Sequence, residues 1–314
     1  MDKLSFQKRP PRVVCSFTTI ANRLPYIKKT IQAILSQRYP IDLLYVNIPD
    51  VSLKGGKINI PKDLQEFIEL DSRIKLVRGV DHGSINKIVT VLDYEDDPET
   101  IIITFDDDMI PHPDTVRKLV SKSEEYPDCA LSYSGWNYGK FPFYFQIVNN
   151  NSIDKEVDWI QGTNCILYKR KFLNKQELMD YSTVPKDLEK LFKINDDHWI
   201  AYHLAQRGVK RISIDEDSSR YFNISDPDTQ KETIGCRISF PNEVRKIGNY
   251  LSNEGYYKHN DSKMTSRVFI ASIGFIILLG GIWLMNKYSL PTYSILAFTV
   301  IFSLVYASEI VMNF

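Results

Sequence analysis

With 314 residues, 43% of them apolar and 25% charged, the chain can bury one sizeable core, and its averages exclude a disordered or fibrous protein. Its 39 basic residues balance 39 acidic ones, which excludes the basic footprint of a nucleic-acid binder, so no nucleic-acid partner is expected. Cys15, Cys129, Cys165 and Cys236 show no C-x-x-C spacing and no neighbouring histidine, which excludes the common zinc motifs and a dense disulfide framework and points to a reducing compartment.

In chain order, residues 1–11 read as a short polar, basic tail that is neither a signal peptide nor a signal anchor. From residue 12 to about 215, short apolar runs alternate with helical periodicity, the pattern of an α/β domain with a largely parallel sheet. A strand is predicted at Val13 to Thr18, then a helix from Leu24 to Gln37 with Ile27, Ile31, Ile34 and Leu35 on one face. Further strands are predicted at Leu43 to Ile48, Ile74 to Val77 and Ile101 to Phe105, each ending in polar residues, where α/β sheets place their ligand sites. The second half is less regular: strands at Ala130 to Ser134, Phe143 to Val148 and Asn164 to Tyr168, then a helix at Asp196 to Gln206. Residues 216–266 are polar and carry no clear pattern.

The C-terminus is of a different character. Val268 to Met285 is uncharged and apolar, about as long as a helix needs to cross a hydrocarbon core of roughly 30 Å, and a second apolar stretch from Leu290 to Val311 follows a short polar break. The expected organisation is therefore a tail (1–11), one α/β domain (12–240), a juxtamembrane segment (241–266) and a transmembrane helical hairpin (267–312). Lys258, Lys263 and Arg267 precede the first span while the connecting loop offers only Lys287, so the domain is expected on the cytosolic side of a membrane.

The segment from Ile101 to Asp108, IIITFDDD, is an apolar strand that ends abruptly in three acids. Adjacent carboxylates repel one another and need a cation or full solvation. Two residues apart on an extended chain, Asp106 and Asp108 share one side, where a hard divalent ion such as Mg²⁺ or Mn²⁺, with a bound diphosphate, can link them. The bland alternative is a solvated acidic turn before a helix starting near Pro113. Asp196 and Asp197 have a bland reading too, as cap and dipole partners of the helix they open, with Asn195 as the other capping candidate.

TFDDDMIP resembles the D-x-D segment of GT-A glycosyltransferases of the family 2 type, CSFTTIANRLPYIKKTIQAILSQRYP resembles their first strand, nucleotide-contacting loop and first helix, and VDHGSINKI resembles their donor-side loop. The resemblance implies a GT-A, Rossmann-like nucleotide-diphospho-sugar transferase domain over roughly residues 12 to 215. It implies donor-binding roles for Thr18, Thr19, Arg23, Gly83, Ser84, Asn86, Lys87, Asp106 and Asp107, and metal ligation by Asp108 with Asp106. DWIQGTNCILYKR resembles the acceptor loop, which places Trp159, Gly162, Thr163 and Asn164 near the sugar; Trp159 reads equally well as core. INDDHWIAYHLAQRGV resembles the acidic motif that supplies the general base of inverting members, which implies Asp197, or Asp196, as catalytic.

The chain departs from the pattern in lacking the later histidine that is a further metal ligand in many relatives; Asn223 or His259 is the available substitute, or the metal is held only by Asp108, the donor and water. His82, His112, His198 and His203 are given no catalytic role, although His82 lies beside the donor loop. The resemblance thus implies a metal-dependent transferase with a nucleotide-sugar donor, a glycan, protein or lipid-linked acceptor, and Mn²⁺ or Mg²⁺ as cofactor. Two alternatives are weighed against it. A nucleotidyltransferase would need a glycine-rich phosphate loop where this chain reads FTTIANRLP. A non-catalytic, membrane-tethered carbohydrate binder of transferase ancestry would not need the intact acids at Asp106 to Asp108 and Asp196 to Asp197.

Overall fold

A computed structural model describes residues 10–53, 55–137, 154–162, 165–214, 222–223 and 240–254. Thr163, Asn164, His259, the predicted strand Phe143 to Val148 and the apolar C-terminal stretches lie outside the described residues. Among those described, no helix is long and apolar enough to cross a membrane.

The first half alternates strands and helices: β1 (Val13–Thr18), α1 (Ile27–Leu35), β2 (Leu43–Asn47), α2 (Lys62–Glu69), β3 (Ile74–Val77), α3 (Asn86–Val89) and β4 (Ile101–Thr104). Then come β5 (Met109–Ile110), α4 (Thr115–Glu125), β6 (Cys129–Ser132), β7 (Gly135–Trp136), β8 (Lys155–Glu156), β9 (Trp159–Ile160) and β10 (Ile166–Lys169). The described residues that follow form α5 (Lys175–Met179), α6 (Lys186–Ile194), α7 (Asp196–Gln206), β11 (Lys210–Ser213), β12 (Phe222–Asn223) and α8 (Phe240–Asn253).

The main sheet has the order β3-β2-β1-β4-β10-β6-β11-β8. The α/β expectation holds, but the sheet is mixed: β10 runs antiparallel to both its neighbours and β8 antiparallel to β11. An apolar run such as Ile166–Lys169 carries no directional signal, because parallel and antiparallel ladders both satisfy its backbone. The first predicted helix also starts later, at Ile27, after a 3₁₀ turn at Ala21–Arg23 and Pro25, which has no N–H to donate. Phe240–Asn253, expected to be juxtamembrane, forms α8, which buries Val244, Ile247 and Leu251 at helical spacing and packs against α6.

Strand alternation sorts the side chains into two layers. Val13, Cys15 and Phe17 of β1, with Ile101, Ile103 and Phe105, join Ile27, Ile31 and Ile34 of α1, Leu64 and Ile68 of α2, and Val116 and Leu119 of α4 in one apolar core. The opposite parity carries buried polar residues, Ser16, Asn47 and Thr104, on the side where α3 packs against β1.

At the N-terminal end of β1, Arg12 donates through Nε and Nη2 to the two carboxylate oxygens of Glu95 at 2.8 and 2.9 Å, and the Tyr45 hydroxyl donates to Oε1 at 2.6 Å. Burial pushes the Glu95 carboxyl up, but these donors outweigh it and hold the pKa below the ordinary value. Because its folded pKa is depressed, Glu95 stabilises the fold above the unfolded carboxylate range, and this is lost as pH falls through the folded value. Glu95→Ala is expected to cost about 1–3 kcal/mol, since Arg12 is partly solvated and Tyr45 loses its acceptor. Urea denaturation of variant and parent at neutral pH and at low pH checks both the loss and its shrinkage in acid.

Candidate active site

The C-terminal edge of the sheet gathers the acids that follow β4. The chain leaves the strand after Thr104, turns at Asp107 and Asp108, and resumes as β5, which pairs with β12. Asp106 and Asp108 therefore do not share one side of an extended strand, as expected from their spacing; the turn divides the trio between two cations. Lys87 Nζ lies 3.1 Å from Asp106 Oδ1, whereas Arg23 pairs through Nη1 with Asp107 and through Nη2, at 3.1 Å, with Asp108.

Asp107 is buried and committed to the fold. Its Oδ2 accepts from the Thr19 hydroxyl at 2.6 Å, Arg23 covers Oδ1, and its main-chain carbonyl accepts from the Thr30 hydroxyl at 3.0 Å. Thr19 and Arg23, predicted to hold the donor, thus hold the acidic turn, and Thr18 donates to the Asn47 carbonyl at 3.3 Å. Thr30 carries no sequence signal, since it reads as an ordinary core position of an amphipathic helix.

The donor-side loop divides in the same way. Asn86 is buried and staples its own loop, accepting from His82 N–H at 3.3 Å and donating to the Val80 carbonyl at 3.2 Å. The Ser84 hydroxyl donates to the Lys193 carbonyl at 3.3 Å, and a Cβ on Gly83 would stand 2.7 Å from that same carbonyl. Gly83, Ser84 and Asn86 therefore fix the loop against the end of α6, and Lys87 is the residue they deliver to the site.

Lys87 is almost fully buried and also lies 3.2 Å from Asp196 Oδ2. Burial alone would strip its proton, but Asp106, Asp196 and Asp197 together outweigh that and raise its pKa well above the ordinary value. The capping reading of α7 is not what forms: Asn195 makes no side-chain cap and donates instead to the Leu191 carbonyl at 3.0 Å. Asp196 is spent on Lys87, while Asp197 Oδ2 accepts from the Gly162 N–H at 2.8 Å. Asp197 Oδ1 is buried without a hydrogen-bond partner. Burial first, and the charge of Asp196 next, raise the Asp197 pKa far above the carboxylate range. A Cβ on Gly162 would stand 2.8 Å from Asp197 Oδ1 and 3.1 Å from Lys87 Nζ, so this approach requires glycine.

Trp159 lies deeper than an acceptor platform should. It is 3% exposed, with its ring 4.1 Å from that of His198, and it serves as core beneath the 159–162 segment. His198 is neutral, its pKa pushed down to about 3 by burial. Trp136, which pairs with Trp159 across β7 and β9 and donates its indole N–H to Gln161 at 2.8 Å, is the more exposed tryptophan; nothing in its sequence context distinguished it.

The acids fit a divalent ion in a limited way. Burial, then the charge of Asp106, pushes the Asp108 carboxyl up to about 6, the strain a cation would relieve. Among the described residues no group of three or more metal-ligating side chains converges, so an ion held by Asp108 and Asp106 would complete its shell with a ligand's oxygens and water. Asn223 is brought beside this turn by its backbone pairing with Met109.

Lys87→Met would leave three carboxylates facing one another, at an expected cost of about 3–5 kcal/mol. The sign with pH follows: carboxylates raised in the folded state bind protons there, so the variant loses more stability at about pH 8 than at about pH 5. Urea titrations at both values check this, and adding Asp196→Asn is expected to recover part of the loss.

The acids after β4, the buried lysine and the two acids opening α7 form a single constellation at the edge where α/β folds bind ligands. No curated protein matches the chain. Among solved structures, the mannosyltransferase PcManGT from Pyrobaculum calidifontis, in complex with GDP-Man and Mn²⁺, aligns at 19% identity with a TM-score of 0.43, covering 65% of this chain and 55% of that one. This chain thus spans little more than half of that protein's length. The profile described as glycosyl transferase family 2 matches residues 17–179, more than half of the chain, from the Thr19 loop through the acidic turn to the segment carrying Gly162, and the chain belongs to that family.

Proposed function

We propose that the protein transfers a sugar from a nucleotide-diphosphate donor to an acceptor hydroxyl with inversion at the anomeric carbon. The observation that carries this reading is Asp197: one oxygen is fixed by the Gly162 N–H, the other has no partner, and burial raises its proton affinity. Such a carboxylate is suited to take the proton of an acceptor hydroxyl as the oxygen bonds to the anomeric carbon. The bond from that carbon to the diphosphate breaks, and its electron pair leaves with the nucleotide. Asp196 does not share the role, because Lys87 already neutralises it.

Lys87 and Arg23 supply the positive charge that a diphosphate needs at this edge. Asp108 and Asp106 would hold Mn²⁺ or Mg²⁺, which when bound offsets the charge developing on the leaving diphosphate. Thr18, half-buried at the start of the donor loop, is proposed as a further donor contact. We also place the protein in a membrane through the apolar stretches at 268–285 and 290–311, with the domain on the cytosolic side; their length and the Lys258, Lys263 and Arg267 bias support this.

The test uses the full chain in detergent. Calorimetric titration with UDP, GDP and CMP is expected to show Mn²⁺-dependent binding of one nucleotide, lost in Asp108→Ala. Asp197→Asn is expected to retain that binding while product formation falls about 10²–10⁴-fold. Because the base works deprotonated, turnover should rise with pH through a value above the ordinary carboxylate range. A folded chain that binds no nucleotide under any metal condition would sink the transferase reading in favour of a non-catalytic carbohydrate binder.

A further inference from the structure

Three consecutive loops at the C-terminal edge of the sheet expose apolar side chains that no catalytic role explains. Ile20 follows β1 and is 41% exposed, Val51 and Leu53 follow β2 at 53% and 62%, and Val80 follows β3 at 70%. Because β1, β2 and β3 are adjacent and parallel, these loops lie side by side. The Asp50 N–H donates to the Gly79 carbonyl at 2.9 Å, so the β2 and β3 loops run together as far as Val51 and Val80.

The β2 loop is built rather than slack. Val51 pairs with Lys57, Ser52 N–H donates to the Gly56 carbonyl at 3.0 Å, and Gly55 and Gly56 take the left-handed conformations that close the turn. Leu53 N–H donates to Asp81 Oδ2 at 2.9 Å, which ties this tip to the β3 loop. A hairpin held this firmly has no internal reason to leave a leucine in water. In sequence the tip reads Leu53, Lys54, Gly55, Gly56, Lys57, and Lys57 is exposed.

We infer that these loops form a surface that sits on a lipid bilayer, with Leu53, Val51 and Val80 entering the headgroup boundary and Lys57 facing anionic lipid. The inference rests on the proposed membrane attachment. A chain carrying apolar stretches of membrane-spanning length, the first of them uncharged, holds its domain beside a bilayer, where an exposed apolar patch beside a lysine finds a complementary surface. The same edge carries Asp106 and Lys87, so the surface would set the mouth of the site at the lipid interface.

The experiment places an environment-sensitive fluorescent amino acid, one at a time, at positions 53, 80 and 70 of the full chain. Leu70 is 85% exposed but precedes β3, at the opposite edge of the sheet, and serves as the control. In phosphatidylcholine vesicles containing phosphatidylglycerol, the probes at 53 and 80 should shift to the blue and be quenched by brominated phosphatidylcholine, while the probe at 70 should do neither. Vesicle capture without a shift at 53 and 80 overturns the surface and leaves the attachment standing. Failure of the full chain to enter vesicles overturns the attachment, and the surface with it. A blue shift in detergent that grows with protein concentration identifies a second copy as the occupant and also overturns it.

Discussion

One buried ammonium organises this protein's chemistry. Lys87 is surrounded by Asp106 from the turn after β4 and by Asp196 and Asp197 from the start of α7. Bringing three acids from two separate elements into a site of low polarity is costly unless a cation is already there, and a lysine without them would lose its proton. The arrangement is stable only as a whole. This explains why α3 is short and rigidly looped: Gly83, Ser84 and Asn86 act on the loop's shape so that the lysine arrives at a fixed place.

The same charge balance separates the two acids of α7. Asp196 faces the ammonium directly, so its negative charge is matched. Asp197 receives only a main-chain N–H on one oxygen, and its environment favours the protonated form. A base of this kind is stronger than a solvated aspartate, because burial and a like charge both raise the energy of its ionised state. Gly162 is required at this point, for any side chain there would occupy the space in which Asp197 and Lys87 approach each other.

Much of this was legible in the sequence and some was not, for physical reasons. Strands of mainly apolar character, Val13 to Thr18 and Ile101 to Phe105, declare themselves because both faces are buried, and their polar ends mark the ligand edge. The acids were visible for the same reason: charge beside buried strands needs an explanation. Partnership was not visible. The resemblance implies donor contacts for Thr19, Arg23 and Asn86, and it could not show that each also makes hydrogen bonds within the fold, Thr19 and Arg23 to Asp107 and Asn86 to its own loop. Trp159 and Trp136 could not be ranked, since burial depends on the antiparallel pairing of β7 with β9, which two-residue strands do not signal. The reversed direction of β10 was hidden likewise, because an apolar run has no direction.

The three acids after β4 divide their roles along one sheet edge. Arg23, Thr19 and Thr30 hold Asp107 and its main-chain carbonyl on the α1 side, and this fixes the backbone of the turn. Asp106 and Asp108 then flank a rigid residue rather than swinging on a loose loop, and both remain partly accessible, with side chains 30% and 17% exposed. A pair of carboxylates held apart in this way would have a low reorganisation cost on binding the proposed cation and diphosphate, because the turn that carries them is already built. The middle acid of the three, which touches nothing but its own fold, is therefore the one on which the availability of the other two depends.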